Sequence, residues 1–248
     1  MTPLGVRASV LLAAVALAAG LVAGAPARAA DPDPQDLPSV DVLVRQFENI
    51  AFSAEYLGEH RRGRLIKWTG PIRIRILGSY AQRFRPEVQA QIDLLVALSG
   101  LSIQIVDGAA TQRANVDINF SPRGRYWSLE PEAPCRTIFF DRSYAIERVE
   151  VFINPDDLDL RRHCVVEELT QALGLSDDST LIPDSIFSDE SQRDTLAPWD
   201  EIMVRVLYDP RLRPGMTKQE AMPVVARILW EMLGLNPSGT TSSRPRRR

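Results

Sequence analysis

The sequence predicts a single α+β domain, and three observations predict it. In PIRIRILG, Ile72, Ile74 and Ile76 alternate with Arg73 and Arg75, the two-residue period of a strand with one wet face. Four more stretches rich in β-branched and aromatic residues follow: LSIQIVDG, ANVDINFSP, TIFFD and ERVEVFINP. Helical periodicity appears before the strands, once between them, and then repeatedly after them. That order suits one α+β unit rather than regular βαβ repetition.

Each element has its own local reason. Ser39 precedes VDVLVRQFENIA, where Val40, Leu43, Val44, Phe47, Ile50 and Ala51 recur at helical spacing. The charged connector GEHRRGR leads to the first strand. Pro86 is expected to open the next helix, with Val88, Ile92, Leu95 and Leu98 on one face and Gly100 at its end. TIFFD and ERVEVFINP read as a strand pair. DDLDLRRHCVVEELTQALGL reads as a helix with Gly174 near its end, and LAPWDEIMVRVLY as another. Asp209-Pro210 and Pro214-Gly215 mark turns. Thr217 and Glu220 form a capping box for a helix running to Leu233, which Gly234 closes.

The ends read differently. Residues 1–30 carry Arg7, the apolar run ASVLLAAVALAAGLVAGA and an A-x-A type exit, the pattern of a cleaved export signal. Residues 31–38 form a Pro-rich linker, 39–235 the domain, and 236–248 a disordered basic tail. Cleavage would leave 218 of the 248 residues, with 27 basic side chains (29 less Arg7 and Arg28) against 32 acidic, a net charge of −5. That balance argues against nucleic acid as a partner. No later stretch is apolar enough to span a membrane. The expected location is secreted or periplasmic, an oxidising compartment in which Cys135 and Cys164 form a disulfide.

The chemistry concentrates in EELTQALGLSDD, residues 167–178. Val165, Leu169, Ala172 and Leu173 share one helix face and are core. Glu167 and Gln171 lie one turn apart on another stripe, and Gly174 continues it. The spacing matches H-E-x-x-H-x-x-G-x-x-H, in which two imidazoles at i and i+4 converge on zinc and the intervening Glu activates water. Here Glu167, Gln171 and Asp177 occupy the ligand positions, and Glu168 occupies the general-base position. His163, one turn before Glu167, extends the stripe as H-x-x-x-E and reads as a surface or capping residue. Asp177-Asp178-Ser179 and Ser188-Asp189-Glu190 are acidic loops near the cleft, read as ordinary turns with a structural calcium as the rival. Asp156, Asp157 and Asp159 read as cap and first-turn acids. Trp68, Trp127, Trp199 and Trp230 read as core or groove wall.

Downstream, Ser185-Ile186-Phe187 resembles the S-I-M turn beneath the metal of matrixin-type metzincin peptidases, and LAPWDEIMVRVLY is similar to their closing helix, with Leu196, Asp200, Leu207 and Tyr208 in register. The combination of CVVEELTQALGL, PDSIFSD and LYDPRLRPGM looks like the bacterial family called domain of unknown function 2927. The resemblance spans most of residues 40–235 and is specific in its C-terminal half. It implies a single zincin-like, metzincin-type domain: a mixed sheet, an active-site-like helix and C-terminal helices. It supplies a fold and no activity.

Three readings follow. In the first, a domain that keeps a metallopeptidase shape without the His ligands binds a peptide, glycan or envelope protein non-catalytically. No cofactor is expected, because a Gln amide is a poor zinc donor. In the second, a hydrolase or peptidase works with an altered Glu/Gln/Asp site, either metal-free or holding a hard cation such as calcium through oxygen. In the third, the Glu-Gln stripe is a solvated helix surface. Convergence of Glu167, Gln171 and Asp177 in a concave site would separate the third from the others.

Overall fold

In the computed structural model, residues 37–53, 63–78, 80–106, 113–121, 133–156 and 161–235 are described. The expected signal, most of the linker, the tail, Trp127, Asp157 and Asp159 lie outside these residues. The elements run α1 (Val40–Phe52), β1 (Ile72–Leu77), α2 (Ala81–Ser99), β2 (Ile103–Ile105), β3 (Val116–Phe120), β4 (Cys135–Arg142), β5 (Ala145–Ile153), α3 (Arg161–Gln171), α4 (Pro198–Leu207) and α5 (Lys218–Met232). The order of patterns predicted the α+β class, and the mixed sheet is what the family resemblance implied.

The sheet order is β2-β1-β3-β5-β4. β1 pairs in parallel with β2 and β3, and β3 with β5, while β4 runs antiparallel to β5 along one edge. Ile72, Ile74, Val116, Ile118, Phe120, Val149, Val151 and Ile153 are buried on the face that meets α2 and α3. Arg73, Arg75 and Asp117 point to the wet face, where Arg75 and Asp117 make a two-pronged ion pair. The two-residue period therefore sorts core from solvent as the sequence implied.

Local signals set most boundaries. Ser39 Oγ accepts from Val42 N–H at the start of α1. Thr217 and Glu220 cap α5 reciprocally. Gly100 takes the left-handed conformation that closes α2. The expected start of α2 was wrong: the helix begins at Ala81, and Pro86 lies inside it. Phe84 explains the extension. It is buried, stacks 4.7 Å from the Phe120 ring, and draws the preceding turn onto the core. That packing outweighs the one helix hydrogen bond Pro86 cannot donate.

The segment 63–68 ties the β4–β5 hairpin to the chain between α4 and α5. Leu65 exchanges backbone hydrogen bonds with Gly215 and Met216, and Lys67 with Tyr144 and Ile146. Lys67 is buried, and its ammonium donates to the carbonyls of Leu207 (2.6 Å) and Leu212 (3.0 Å) while lying over the Tyr208 ring. A cation there satisfies carbonyls at the C-terminus of α4. Among the described residues, no helix is long and apolar enough to cross a membrane.

Candidate functional site

From His163 to Gln171, helix α3 is buried all round. Val165, Val166 and Leu169 fill the core, each such side chain contributing about 1.5–3 kcal/mol on burial. Its polar residues are buried too: His163 is 6% exposed, Glu167 7%, Glu168 3% and Gln171 7%. This overturns the reading of the Glu-Gln stripe as solvated surface, and that of His163 as a surface or capping residue. Helical periodicity locates the core face, but it cannot reveal that loops and β4 cover the other faces as well.

Buried polar atoms need partners, and His163, Glu167, Glu168 and Gln171 each have one. His163 Nδ1 meets the Arg193 carbonyl at 2.6 Å, and its Nε2 lies 3.2 Å from Glu167 Oε2. Thr137 on β4 donates its hydroxyl to Glu168 Oε2 at 2.5 Å. Gln171 Nε2 donates to Asp178 Oδ1 at 2.7 Å. Thr170 and Gln91 satisfy each other and the Val166 carbonyl. The last carbonyls of the helix region accept from side chains, Ala172 from Trp68 Nε1 (2.8 Å) and Leu173 from the Tyr208 hydroxyl (2.7 Å).

Gly174 then turns the chain, with φ of +118°; a Cβ there would sit 2.3 Å from the Ile66 carbonyl oxygen. Asp177 is buried and its N–H donates to the Ile50 carbonyl. The carboxylate that meets Gln171 is the next one, Asp178. Oxygens of Glu167, Asp178 and Asp189 lie within 4.8 Å of one another. Sequence spacing pointed to Asp177 for this place; Asp178 and Asp189 carried only the weaker signal of two acidic loops. Thr137 carried no signal, since only the fold sets β4 against α3.

Electrostatics follow from crowding and burial. Burial, then the Glu167 carboxylate, pushes Glu168 well above the usual carboxylate range, against the opposing Thr137 hydrogen bond. Burial, with the charges of Glu167, Asp189 and Asp177, raises Asp178 to about 8 despite the Gln171 bond. His163 moves up as well: burial works against its charge, but the Glu167 hydrogen bond and charge prevail. All three groups thus hold a proton more tightly than they would in water.

Two supports hold the site. Cys135 on β4 is bonded to Cys164 on α3, the disulfide expected from the cysteine count. The turn Ser185–Phe187 is buried and fastened to α4 by Asp200, which accepts from the Ser185 hydroxyl (2.6 Å), Ile186 N–H (3.0 Å) and Ala197 N–H (2.8 Å). Ser179, next to Asp178, donates its N–H to the Phe187 carbonyl, linking that turn to the loop on Gln171.

The oxygen-only group of Glu167, Asp178 and Asp189 has the donor type of a hard cation rather than of zinc. No curated protein matches the chain. The profile of the family described as Protein of unknown function (DUF2927) matches residues 41–227, a span that contains β1–β5, α2–α4 and every residue of the site. Its reach over most of the sequence assigns the chain: the protein belongs to the DUF2927 family.

Proposed function

We propose that the protein is an exported, zincin-like domain of the cell envelope that binds an extended partner, a peptide or a strand of another protein, without cleaving it. One observation carries this reading: the positions that would serve catalysis are consumed inside the protein. Glu167 faces His163, Gln171 holds Asp178, and Glu168 is bound by Thr137. A carboxyl that is buried and retains its proton is a poor general base, and without zinc nothing lowers the pKa of water. The zincin-like assignment draws support from the strand, helix and strands that precede α3, and from Asp200 anchoring the Ser185–Phe187 turn. Export draws support from the N-terminal apolar run and the disulfide. An extended partner is favoured because β4, beside α3, is the edge of the sheet among the described residues.

The test is a peptide-library assay from pH 4 to 8 with metal analysis of the purified, oxidised chain. Peptide capture without cleavage and without zinc is expected. Cleavage abolished by Glu168→Gln would overturn the reading. It would establish instead the second one, a hydrolase using protonated and ionised carboxyls as acid and base, which the raised pKa values of Glu168 and Asp178 favour.

A further inference from the structure

We propose that β4 selects its extended partner for an acidic side chain: a carboxylate on the incoming strand seats on Arg136, and apolar side chains further along that strand meet Ile138 and Phe140. The inference rests on the peptide-binding reading and names the chemistry of the peptide.

The register of β4 on β5 shows which backbone groups are left for a partner. Arg136 stands opposite Phe152 and Ile138 opposite Glu150, and Asn154 N–H donates to the Pro134 carbonyl at 3.0 Å. Antiparallel pairing alternates, so Pro134, Arg136 and Ile138 turn their backbone groups toward β5, while Cys135 and Thr137 turn theirs outward. Among the described residues nothing pairs with those outward groups. A strand added there in the antiparallel sense bonds to Cys135 and Thr137. It then sets one of its residues directly opposite Arg136, with both side chains on the same face.

That face decides which residue fits. The side chains of Cys135 and Thr137 point to α3, where they meet Cys164 and Glu168. Arg136, Ile138 and Phe140 therefore lie on the other face. Nε and Nη1 of Arg136 are shut off from water and have no hydrogen-bond partner, although the residue as a whole is only half-buried. Unmet donors on a cation are costly, and a guanidinium offers the fork that a carboxylate fills with two bonds. The chain's own acids do not fill it. Glu168 lies within electrostatic reach, but burial holds its proton on and leaves the cation uncompensated. Glu150 is taken by Arg148, and Asp117 by Arg75. Asp141, the one acid of β4, accepts from Tyr144 N–H in the hairpin turn, so a second copy of β4 is poorly equipped to supply the carboxylate. Ile138 is half-buried and Phe140 is 37% exposed, which leaves apolar surface for the partner's next side chains on this face.

The test titrates the oxidised full chain into dye-labelled peptides that alternate Thr with Val and carry Glu, Gln or Lys at one Val position, read by fluorescence anisotropy. The Glu peptide should bind about tenfold or more tightly than the Gln peptide, and the Lys peptide least. Arg136→Gln should erase that order and Arg136→Glu reverse it, while Arg73→Gln, three strands away on the same face, leaves it unchanged. Moving the Glu by one residue turns it to the other face and should remove the gain; this scan on the parent decides if the Arg136 variants lose the parental melt. Binding with no preference for Glu, or a preference that survives Arg136→Gln in a folded variant, would overturn the inference and leave peptide binding standing. Self-association that competes with all the peptides alike would assign the edge to a second copy and overturn it too. Failure of every peptide to bind would overturn both readings.

Discussion

Gln171 donates its amide hydrogen to Asp178 at 2.7 Å, so a buried residue of α3 is held by an acid from the loop that follows it. The contact crosses seven residues of sequence and closes the C-terminal end of α3 against the turn at Gly174. It also gathers Asp178 with Glu167 and Asp189, and such crowding must be relieved by protons or a cation.

Stability should therefore fall as pH rises from about 5 to about 8. Asp178, Asp200, Glu168 and His163 all bind a proton more tightly in the fold than in the unfolded chain. Burial is the leading cause for the three acids, and Glu167 prevails over burial for His163. The stability gained from a raised group is complete below its unfolded value, about 4 for the acids and 6.5 for His. It is lost as pH climbs through the folded value, about 6 for Asp200 and about 8 for Asp178. Lys67, lowered by burial to about 8, works the other way only above that pH. Thermal melts at half-unit steps should show a midpoint that declines across this window; a rise would contradict the protonated site.

Asp178→Asn tests the same idea at one residue. The amide imitates the neutral carboxyl and can still accept from Gln171 through its oxygen. The variant should match the parent at pH 5, be the more stable at pH 8, and flatten the curve between them. Equal slopes for the two proteins would show that Asp178 does not hold its proton.

Reduction of Cys135–Cys164 should destabilise the chain. The bridge closes a loop spanning 29 residues of separation, for which the chain-entropy account gives roughly 3–4 kcal/mol. Denaturant melts of oxidised and reduced chain measure the difference directly. A loss under about 1 kcal/mol would mean that β4 is held to α3 chiefly by other contacts, such as Thr137 with Glu168.

What could be read from the sequence depended on how local the cause was. Ser39, Gly100 and the Thr217–Glu220 pair act on their own helix ends, and all three showed in the order of residues. The disulfide was legible because two cysteines allow one pairing. The site was legible only as a helix stripe. Asp178 replaces Asp177 at Gln171 because the Gly174 turn decides which of two adjacent acids faces back. Thr137 and Asp189 arrive from elements that no spacing connects to α3, and Phe84 pulled α2 upstream of Pro86 through a contact with Phe120 in another strand.

Gly174→Ala should be strongly destabilising. Its φ of +118° is one that residues with a Cβ rarely adopt, and the added carbon would lie 2.3 Å from a backbone oxygen of Ile66 that β-type hydrogen bonds nearby hold in place. Conformational strain and the clash together should cost about 3 kcal/mol or more. The damage should reach the site, since Gly174 sets the loop bearing Asp178. A variant with near-parental midpoint would show that the 63–68 segment yields easily.

Asp200 gives a graded test of the turn that joins the Ser185 region to α4. It is fully buried and accepts three hydrogen bonds, two from backbone N–H groups of Ile186 and Ala197 and one from Ser185. Asp200→Ala strands both N–H groups in a dry interior, and one such group alone costs about 1–3 kcal/mol, so a loss of roughly 3 kcal/mol or more is expected. Asp200→Asn keeps one oxygen where Oδ2 serves both N–H groups, and Ser185 can rotate its hydroxyl to accept from the new amide. Its loss should be about 1 kcal/mol, and smaller at pH 5 than the alanine's at any pH. Urea melts of the two variants should reproduce that order. If alanine and asparagine were equally damaging, the charge on Asp200, rather than its acceptor geometry, would be what holds the turn.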